Sequence, residues 1–492
     1  MCLGCPGADK ALPRAPTGRG KDRPDDPSGG SDGKRAAAPT TPPPPCTRAG
    51  GADLCKAACD AGDAPSCRNL GLLMQQGKAG RRNKVRLVEL FQRACDASDL
   101  EACDELGSLL DEDASSVALY RKSCDAGYMP ACGHLASVLL VNGDMEVLAD
   151  KEPDIKAAIA LAKKSCEAGH ANSCTILGGV YRQGKPVKKD HPLAKQYLEH
   201  ACELGDYRGC TINGTMYELG WDGEKPDEVH ALVLRQNAFK LLQASCDEKL
   251  EPCDTLAEYH ADGVGTKQDP VKEIEVLRTA CDRGHPRTCV LFGIKMEDGR
   301  GVPKNLQGAG ALYQRACEDG DGSGCYRLAH LYAKGNGFPQ DERRATELEE
   351  KACHLGFGPS CTRFAVTLEK QDATRALGLY RRACRRGDSG GCRSVAAFLL
   401  GTQGHGVPPK DAYPEALRSY LFACDQKDGL GCFGAAWIHE LGLGVSKSRT
   451  KAKELAQKAC ELGARPGCEW VKDPAHGPRQ GWVDFVQQQP KR

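Results

Sequence analysis

From Cys59 onward, cysteine arrives in couples. They are Cys59 with Cys67, Cys95 with Cys103, Cys124 with Cys132, Cys166 with Cys174, Cys202 with Cys210, and Cys246 with Cys253. Then come Cys281 with Cys289, Cys317 with Cys325, Cys353 with Cys361, Cys384 with Cys392, Cys424 with Cys432, and Cys460 with Cys468. Eleven of the twelve couples are eight positions apart, and the couple of Cys246 and Cys253 is seven apart. The step between couples is most often 36 residues, as from Cys281 to Cys317 to Cys353, and ranges from 29 to 44. A period of this size marks an array of one supersecondary unit. A chain of 492 residues exceeds what one compact core holds. With 40% hydrophobic but only 5% aromatic residues, a thin repetitive core fits better than a deep one.

The residues around each couple repeat as well. Ala or Ser precedes the first cysteine in all twelve copies, as at Ala58, Ser123, Ala316 and Ala459. Gly stands three positions after it in nine, including Gly62, Gly127, Gly320 and Gly463. Gly or Ala stands four positions after the second cysteine in eleven, as at Gly71, Gly178, Ala329 and Ala396. Between Asp341 and Cys353, Ala345, Leu348 and Ala352 mark one apolar helix face. Gly356 follows where a helix end calls for a left-handed residue. A second stripe begins at Phe364, Ala365 and Leu368. The small residue there predicts close approach of a neighbouring helix. Gly-x-Gly pairs at Gly263 and Gly265, Gly299 and Gly301, Gly335 and Gly337, Gly404 and Gly406, and Gly442 and Gly444 predict the longer loop of each unit. Each unit is therefore helix, Gly-rich loop, helix and tight turn, and the chain is predicted all-α.

The two cysteines of a couple flank the tight turn. Antiparallel helices meeting there can bring their Cα atoms into disulfide range. Closing so small a ring contributes about 2–3 kcal/mol in the chain-entropy model. Zinc is the rival reading, but a closed site wants about four ligands and each couple stands roughly 30 residues from the next. Reduced thiols are the other rival, and twelve pre-aligned couples would be an oxidation hazard in a reducing compartment.

The stretch Ala316-Cys317-Glu318-Asp319-Gly320-Asp321-Gly322-Ser323-Gly324-Cys325, continuing through Leu328, Ala329, Leu331, Tyr332 and Gly335 to Gly337, resembles the Sel-1-like repeat. It is most similar to the disulfide-bridged form in secreted bacterial cysteine-rich, Hcp-like proteins. The resemblance runs from about Cys55 to Val471. It implies an α/α superhelix related to tetratricopeptide arrays, with a concave surface that binds proteins or peptides. It also implies penicillin-binding or weakly β-lactamase-like activity as an alternative, with cell-wall fragments as ligands. Some copies depart from the pattern. The units from Cys103 to Cys124 and from Cys361 to Cys384 are short and lack the Gly-x-Gly pair. Those from Cys132 to Cys166 and from Cys210 to Cys246 are long, and are expected to carry longer loops. Lys472 replaces the small residue of the last copy and Pro474 follows, which reads as the end of the array.

The domain reading is a Pro/Gly-rich disordered segment over 1–50, the array over 51–472 and a polar tail over 473–492, where Trp482 and Phe485 are the large apolar residues. Leu3-Gly4-Cys5 is similar to the end of a bacterial lipoprotein signal, which would put a lipid anchor near the N-terminus. Only four residues precede Cys5, however, without a basic or apolar region, so the start is truncated or the match is chance. Cys46 and Cys55 could form one more bridge, and Cys2 and Cys5 have no assigned role.

The sequence offers little chemistry. The 67 basic and 66 acidic residues give no electrostatic case for nucleic acid, and no stretch is long and apolar enough to span a membrane. His439-Glu440 lacks the second histidine of a zincin. Ser448-Arg449-Thr450-Lys451 matches the first serine β-lactamase motif, but its partner motifs do not occur, and Lys451-Ala452 is the ordinary opening of a helix. No catalytic residue, metal or cofactor is assigned. The function predicted is a non-catalytic binding scaffold outside the reducing cytoplasm: periplasmic, cell-surface or secreted. The alternatives are the β-lactamase-like activity and an assembly factor in an oxidising intermembrane compartment.

Overall fold

The structure is a computed structural model of the chain. It describes residues 46–47, 51–110, 114–141, 155–184, 187–221, 224–249, 252–401 and 412–472. Cys2, Cys5, Gly404, Gly406, Trp482, Phe485 and the lipoprotein-like start lie outside these residues. Pro43–Arg492 forms one compact unit, and the array lies within it.

All regular structure among the described residues is helical, from α1 (Ala52–Asp60) to α24 (Arg465–Lys472). Most helices are 13 residues long. Asp or Asn sets many of their starts. Asp63, Asn83, Asp99, Asp206, Asp321, Asp388 and Asp428 each accept backbone N–H bonds of the first turn with the side chain. The tight turn sets the ends. Gly356 has φ 87°; its N–H donates to Cys353 O, and that of Phe357 donates to Ala352 O. These bonds satisfy the last carbonyls of α17 (Glu342–His354). Two copies put a side chain at this left-handed position, Ser98 (φ 68°) and Lys427 (φ 63°). They are the two non-glycine residues with positive φ among the described residues.

The recurrent smallness beside each cysteine follows from the turn's width. A Cβ on Gly324, one residue before the second cysteine, would lie 2.8 Å from Ala316 Cβ, one residue before the first. Gly431 meets Ala423 at 2.6 Å and Gly467 meets Ala459 at 2.7 Å in the same way. Ser66, Ala102 and Thr288 hold the same place at Cα separations of 4.5, 4.6 and 4.6 Å, so the turn admits short side chains there as well as glycine. Further along the helix the packing alternates small with large. Gly71 on α2 (Ala64–Gln75) leaves room for the ring of Phe91 on α3 (Lys84–Asp96): a Cβ there would meet the ring at 2.7 Å. Gly107 makes the same room for Tyr120, Gly178 for Leu198 and Gly293 for Tyr313.

The unit from Cys210 to Cys246 corrects one expectation. Its extra length forms helix rather than loop. α11 (Glu228–Lys249) has 22 residues and reaches Cys246 at its nineteenth, whereas α15 (Leu306–Glu318) reaches Cys317 at its twelfth. Seven residues are about two helical turns. Ala231, Leu234, Ala238, Leu242 and Cys246 therefore stay in register as one buried stripe. In the other long unit the added residues fall outside the described ones. The short units hold to expectation: α4 (Leu100–Leu109) and α5 (Ala114–Asp125), and α18 (Gly358–Leu368) and α19 (Ala373–Arg385), are separated by four residues each.

Candidate binding face

Each of the twelve couples joins the last turn of an odd-numbered helix to the first turn of the next even-numbered one. The Cα atoms of Cys59 and Cys67 lie 4.5 Å apart, those of Cys95 and Cys103 4.6 Å, and those of Cys124 and Cys132 4.6 Å. Cys166 and Cys174 are separated by 4.9 Å, Cys202 and Cys210 by 4.7 Å, and Cys246 and Cys253 by 4.8 Å. For Cys281 and Cys289 the distance is 4.6 Å, for Cys317 and Cys325 4.6 Å, and for Cys353 and Cys361 4.5 Å. Cys384 and Cys392, Cys424 and Cys432, and Cys460 and Cys468 are each 4.4 Å apart. All twelve fall within disulfide geometry, and the seven-residue spacing of Cys246 and Cys253 serves as well as eight. Cys46 and Cys55 make a thirteenth pair at 4.8 Å. Cys166, Cys174 and His200 form the one grouping of potential metal ligands among the described residues, and its two sulfurs are paired with each other.

The couples fix which helices face inward. Where helices two apart in the chain pack closely, both are even-numbered, as with α18 and α20 (Ser389–Leu399), or α6 (Met129–Val141) and α8 (Ala171–Gln183). A curved two-layer array brings its inner helices together and spreads its outer ones. The even helices are thus the inner layer, and their free side chains form the concave face.

That face carries a ladder of polar contacts. The residue after a second cysteine often meets the cap residue of the next even helix. Arg68, which follows Cys67, donates to Asp99 at 2.7 Å, and Thr175 Oγ1 donates to Asp206 at 2.7 Å. Thr362 bonds Asp388, and Arg393, which follows Cys392, pairs with Asp428 at 3.3 Å. Around these, Arg208 holds Asp206 and Asn172, and His134 Nδ1 lies 2.7 Å from Asp104. His134 meets the His170 ring edge-on, and His170 Nδ1 lies 2.8 Å from Ser173 Oγ. Burial, aided by His134, depresses His170 to about 4. Burial also raises the Tyr128 hydroxyl, helped by the negative charge of Glu101, Asp104 and Glu105.

A second set of contacts joins the outer layer. Arg93, two residues before Cys95, donates to the carbonyl of Cys59 at 2.6 Å. Arg315 reaches Asp282 O at 3.3 Å and Arg382 reaches His354 O at 3.1 Å. Each cation caps the C-terminus of the preceding odd helix, where the helix dipole is negative. Neither set was anticipated, although both leave a trace in the sequence. Eight of twelve couples have Lys, Arg or His two residues before the first cysteine, and six have Asp four before the second.

Of the residues weighed for chemistry, Ser448 is the cap of α23 (Arg449–Glu461), its side chain accepting from Lys451 N at 3.4 Å. His439 is buried within α22 (Gly429–Leu441). A cleft of about 480 Å³ opens beside the seven-spaced couple, with Cys246, Cys253, Lys267, Asp269, Lys272 and Glu275 among its lining residues. Its charges are mixed, with Asp269 and Glu275 beside Lys267 and Lys272.

The Sel1 repeat model matches nine stretches: 64–99, 131–170, 171–206, 256–285, 293–321, 322–357, 368–388, 394–428 and 429–463. The chain belongs to the Sel1 repeat family. Cytochrome c oxidase assembly factor 7 of Xenopus tropicalis is 35% identical over 94 residues, 19% of this chain and 39% of that protein. Assembly factor 7A of Xenopus laevis matches equally. The matched region thus spans about two fifths of these relatives. Among solved structures, the c5321 protective antigen of uropathogenic Escherichia coli is 20% identical, with 89% of this chain and 93% of that one covered at a TM-score of 0.41. A Sel1 repeat protein from Oxalobacter formigenes is also 20% identical, covering 64% and 90% at 0.41. No helix among the described residues is long and apolar enough to cross a membrane.

Proposed function

We propose that this Sel1 repeat chain is a protein- or peptide-binding scaffold, held by oxidised bridges and acting outside the reducing cytoplasm. The inner layer of even helices carries this reading. Its side chains are already ordered by the ladder, so a partner meets a surface that needs little further ordering to bind. The couples support the oxidised state, because most of their cysteines are buried at disulfide distance, and so many pre-aligned pairs would be an oxidation hazard in a reducing compartment. The array over 51–472 is proposed as the binding unit.

Capture experiments with the oxidised chain test the reading. Glu258→Arg, at an exposed position of the even helix α12 (Cys253–Asp262) in the inner layer, should abolish recovery of a specific partner. Glu347→Lys on the outer helix α17 should leave recovery unchanged. Equal recovery with both variants would remove the inner face from consideration. Alkylation before and after reduction, read by mass spectrometry, should find the twelve couples closed, from Cys59 with Cys67 to Cys460 with Cys468. Couples open in protein drawn from its own compartment would overturn the location.

The second reading is an assembly factor in an oxidising intermembrane compartment. The partial similarity to the cytochrome c oxidase assembly factors favours it. It predicts that the captured partner is a subunit of a respiratory oxidase.

A further inference from the structure

A tight turn holds two neighbouring units together, but two of these turns also touch a distant part of the array. The loop after α2 and the start of α3 lie against the turns of the seventh and eighth couples, Cys281 with Cys289 and Cys317 with Cys325. Lys84 N–H donates to Asp319 O at 3.2 Å. The Arg81 guanidinium lies 3.4 Å from the Asp319 carboxylate. Asp319 is 3% exposed. Burial raises its carboxyl, against the pull of Arg81 and Arg315.

The bond from Lys84 is tertiary. Lys84 is the first residue of α3, and a first-turn amide has no acceptor within its own helix. The approach also depends on missing side chains. A Cβ on Gly284 would lie 2.9 Å from Arg81 Cα, and one on Gly320 would lie 2.9 Å from Lys84 Cβ. Gly62, Gly127, Gly169 and Gly205 occupy the same turn position with the same positive φ, and a Cβ on any of them would meet nothing within 4 Å. At Gly284 and Gly320, therefore, the missing side chain serves two needs: the turn's φ and a close backbone approach. The space remaining in the seam is about 220 Å³, closed by Leu87 and Leu109 on one side and by His285 and Pro286 on the other.

We propose that this contact is a clasp that closes the array on itself, locking the loop edge of the first units onto the turn edge of the seventh and eighth. A solenoid whose units touch only their neighbours can stretch and twist like a spring. The clasp removes that freedom over six successive units and fixes the spacing of the inner helices between them. Its release is the opening motion of the array. The inference does not rest on the scaffold reading and holds for any partner.

Three variants of the full oxidised chain test it. Gly284→Ala drives a methyl group into Arg81. Gly127→Ala carries the same backbone strain without the clash and is the control. Lys84→Pro deletes the donated amide, and proline at a first helical position after an extended Asn83 (φ −128°, ψ 113°) leaves α3 intact. The readouts are hydrogen exchange and the maximum dimension from small-angle scattering. In the wild type, the Lys84 amide should exchange at least tenfold slower than the first-position amides of Leu306 and Glu342. Gly284→Ala and Lys84→Pro should lengthen the particle and raise exchange around Asp319 about tenfold, with the circular dichroism of folded helices kept. Gly127→Ala should do neither. A Lys84 amide as fast as its counterparts, or an unchanged dimension in Lys84→Pro, would overturn the clasp. Should Gly284→Ala fail to fold, Lys84→Pro and the wild-type exchange decide the matter alone.

Discussion

Removing the central bridge tests how locally this protein is held. Cys317→Ala combined with Cys325→Ala opens a ring whose ends are 4.6 Å apart at Cα. For a ring of about nine residues the chain-entropy model assigns the bridge about 2.5 kcal/mol at 25 °C. Both cysteines are buried, so losing two sulfurs adds about 1 kcal/mol of transfer and cavity cost. A local loss of about 3–4 kcal/mol corresponds to hydrogen exchange faster by about 10²–10³-fold. The increase should centre on Ala316 to Tyr332 and reach the units on either side. Because Asp319 and Gly320 lie inside the opened ring, the structure adds one distant site: Arg81 to Leu87 should also speed up. Cys95, at the far end of α3, and Cys460 should keep wild-type protection. A single cooperative unfolding of the whole chain on loss of this bridge would refute the reasoning, because it would require a shared core in place of neighbour contacts.

Other outcomes follow from single positions. Lys427→Gly should relieve the left-handed strain and raise the melting temperature of the neighbouring units, a gain of about 1 kcal/mol by denaturant titration, whereas Lys427→Val should lower it. Gly71→Ala should cost about 1–3 kcal/mol by crowding Phe91, with much of the loss recovered by Phe91→Leu. His170 sits below its unfolded value, so its contribution is present above about pH 6.5 and is lost as the pH falls towards 4. Its ring faces His134, with Asp104, Arg208 and Asp206 nearby, and His170→Asn should flatten that acid slope in thermal melts. Ser448→Ala should weaken the start of α23 by about 1 kcal/mol and leave any measured β-lactam turnover unchanged.

The repeat was legible because its chemistry is local. A couple spaced by eight fixes a turn, and Gly at the third position fixes that turn's φ. Ala or Ser before the first cysteine of each couple is in keeping with a Cα separation of 4.4–4.9 Å across the turn, and that smallness is visible in the sequence itself. The length of the unit from Cys210 to Cys246 was legible too, but its form was not. An insertion of two helical turns preserves the buried stripe of α11, and a count of residues between cysteines cannot distinguish it from a longer loop.

The candidate face was legible only in part. Asp four residues before a second cysteine, and a cation two before a first, are sequence signals for helix caps. That Asp206 takes Thr175, or that Arg93 reaches the carbonyl of Cys59, depends on how far each unit is rotated against the last. That rotation is a relation between units, and no single unit contains it.

The sequence alone determined the helix–turn–helix unit, its period and the pairing of the cysteines into twelve couples from Cys59 to Cys468, since each of those features closes within a few tens of residues. The tertiary structure alone decided that even helices form the inner layer and that Lys84 meets Asp319. Those facts depend on the sum of many small rotations between units. A change of a few degrees in each would leave every local motif intact and carry the two ends of the clasp past one another.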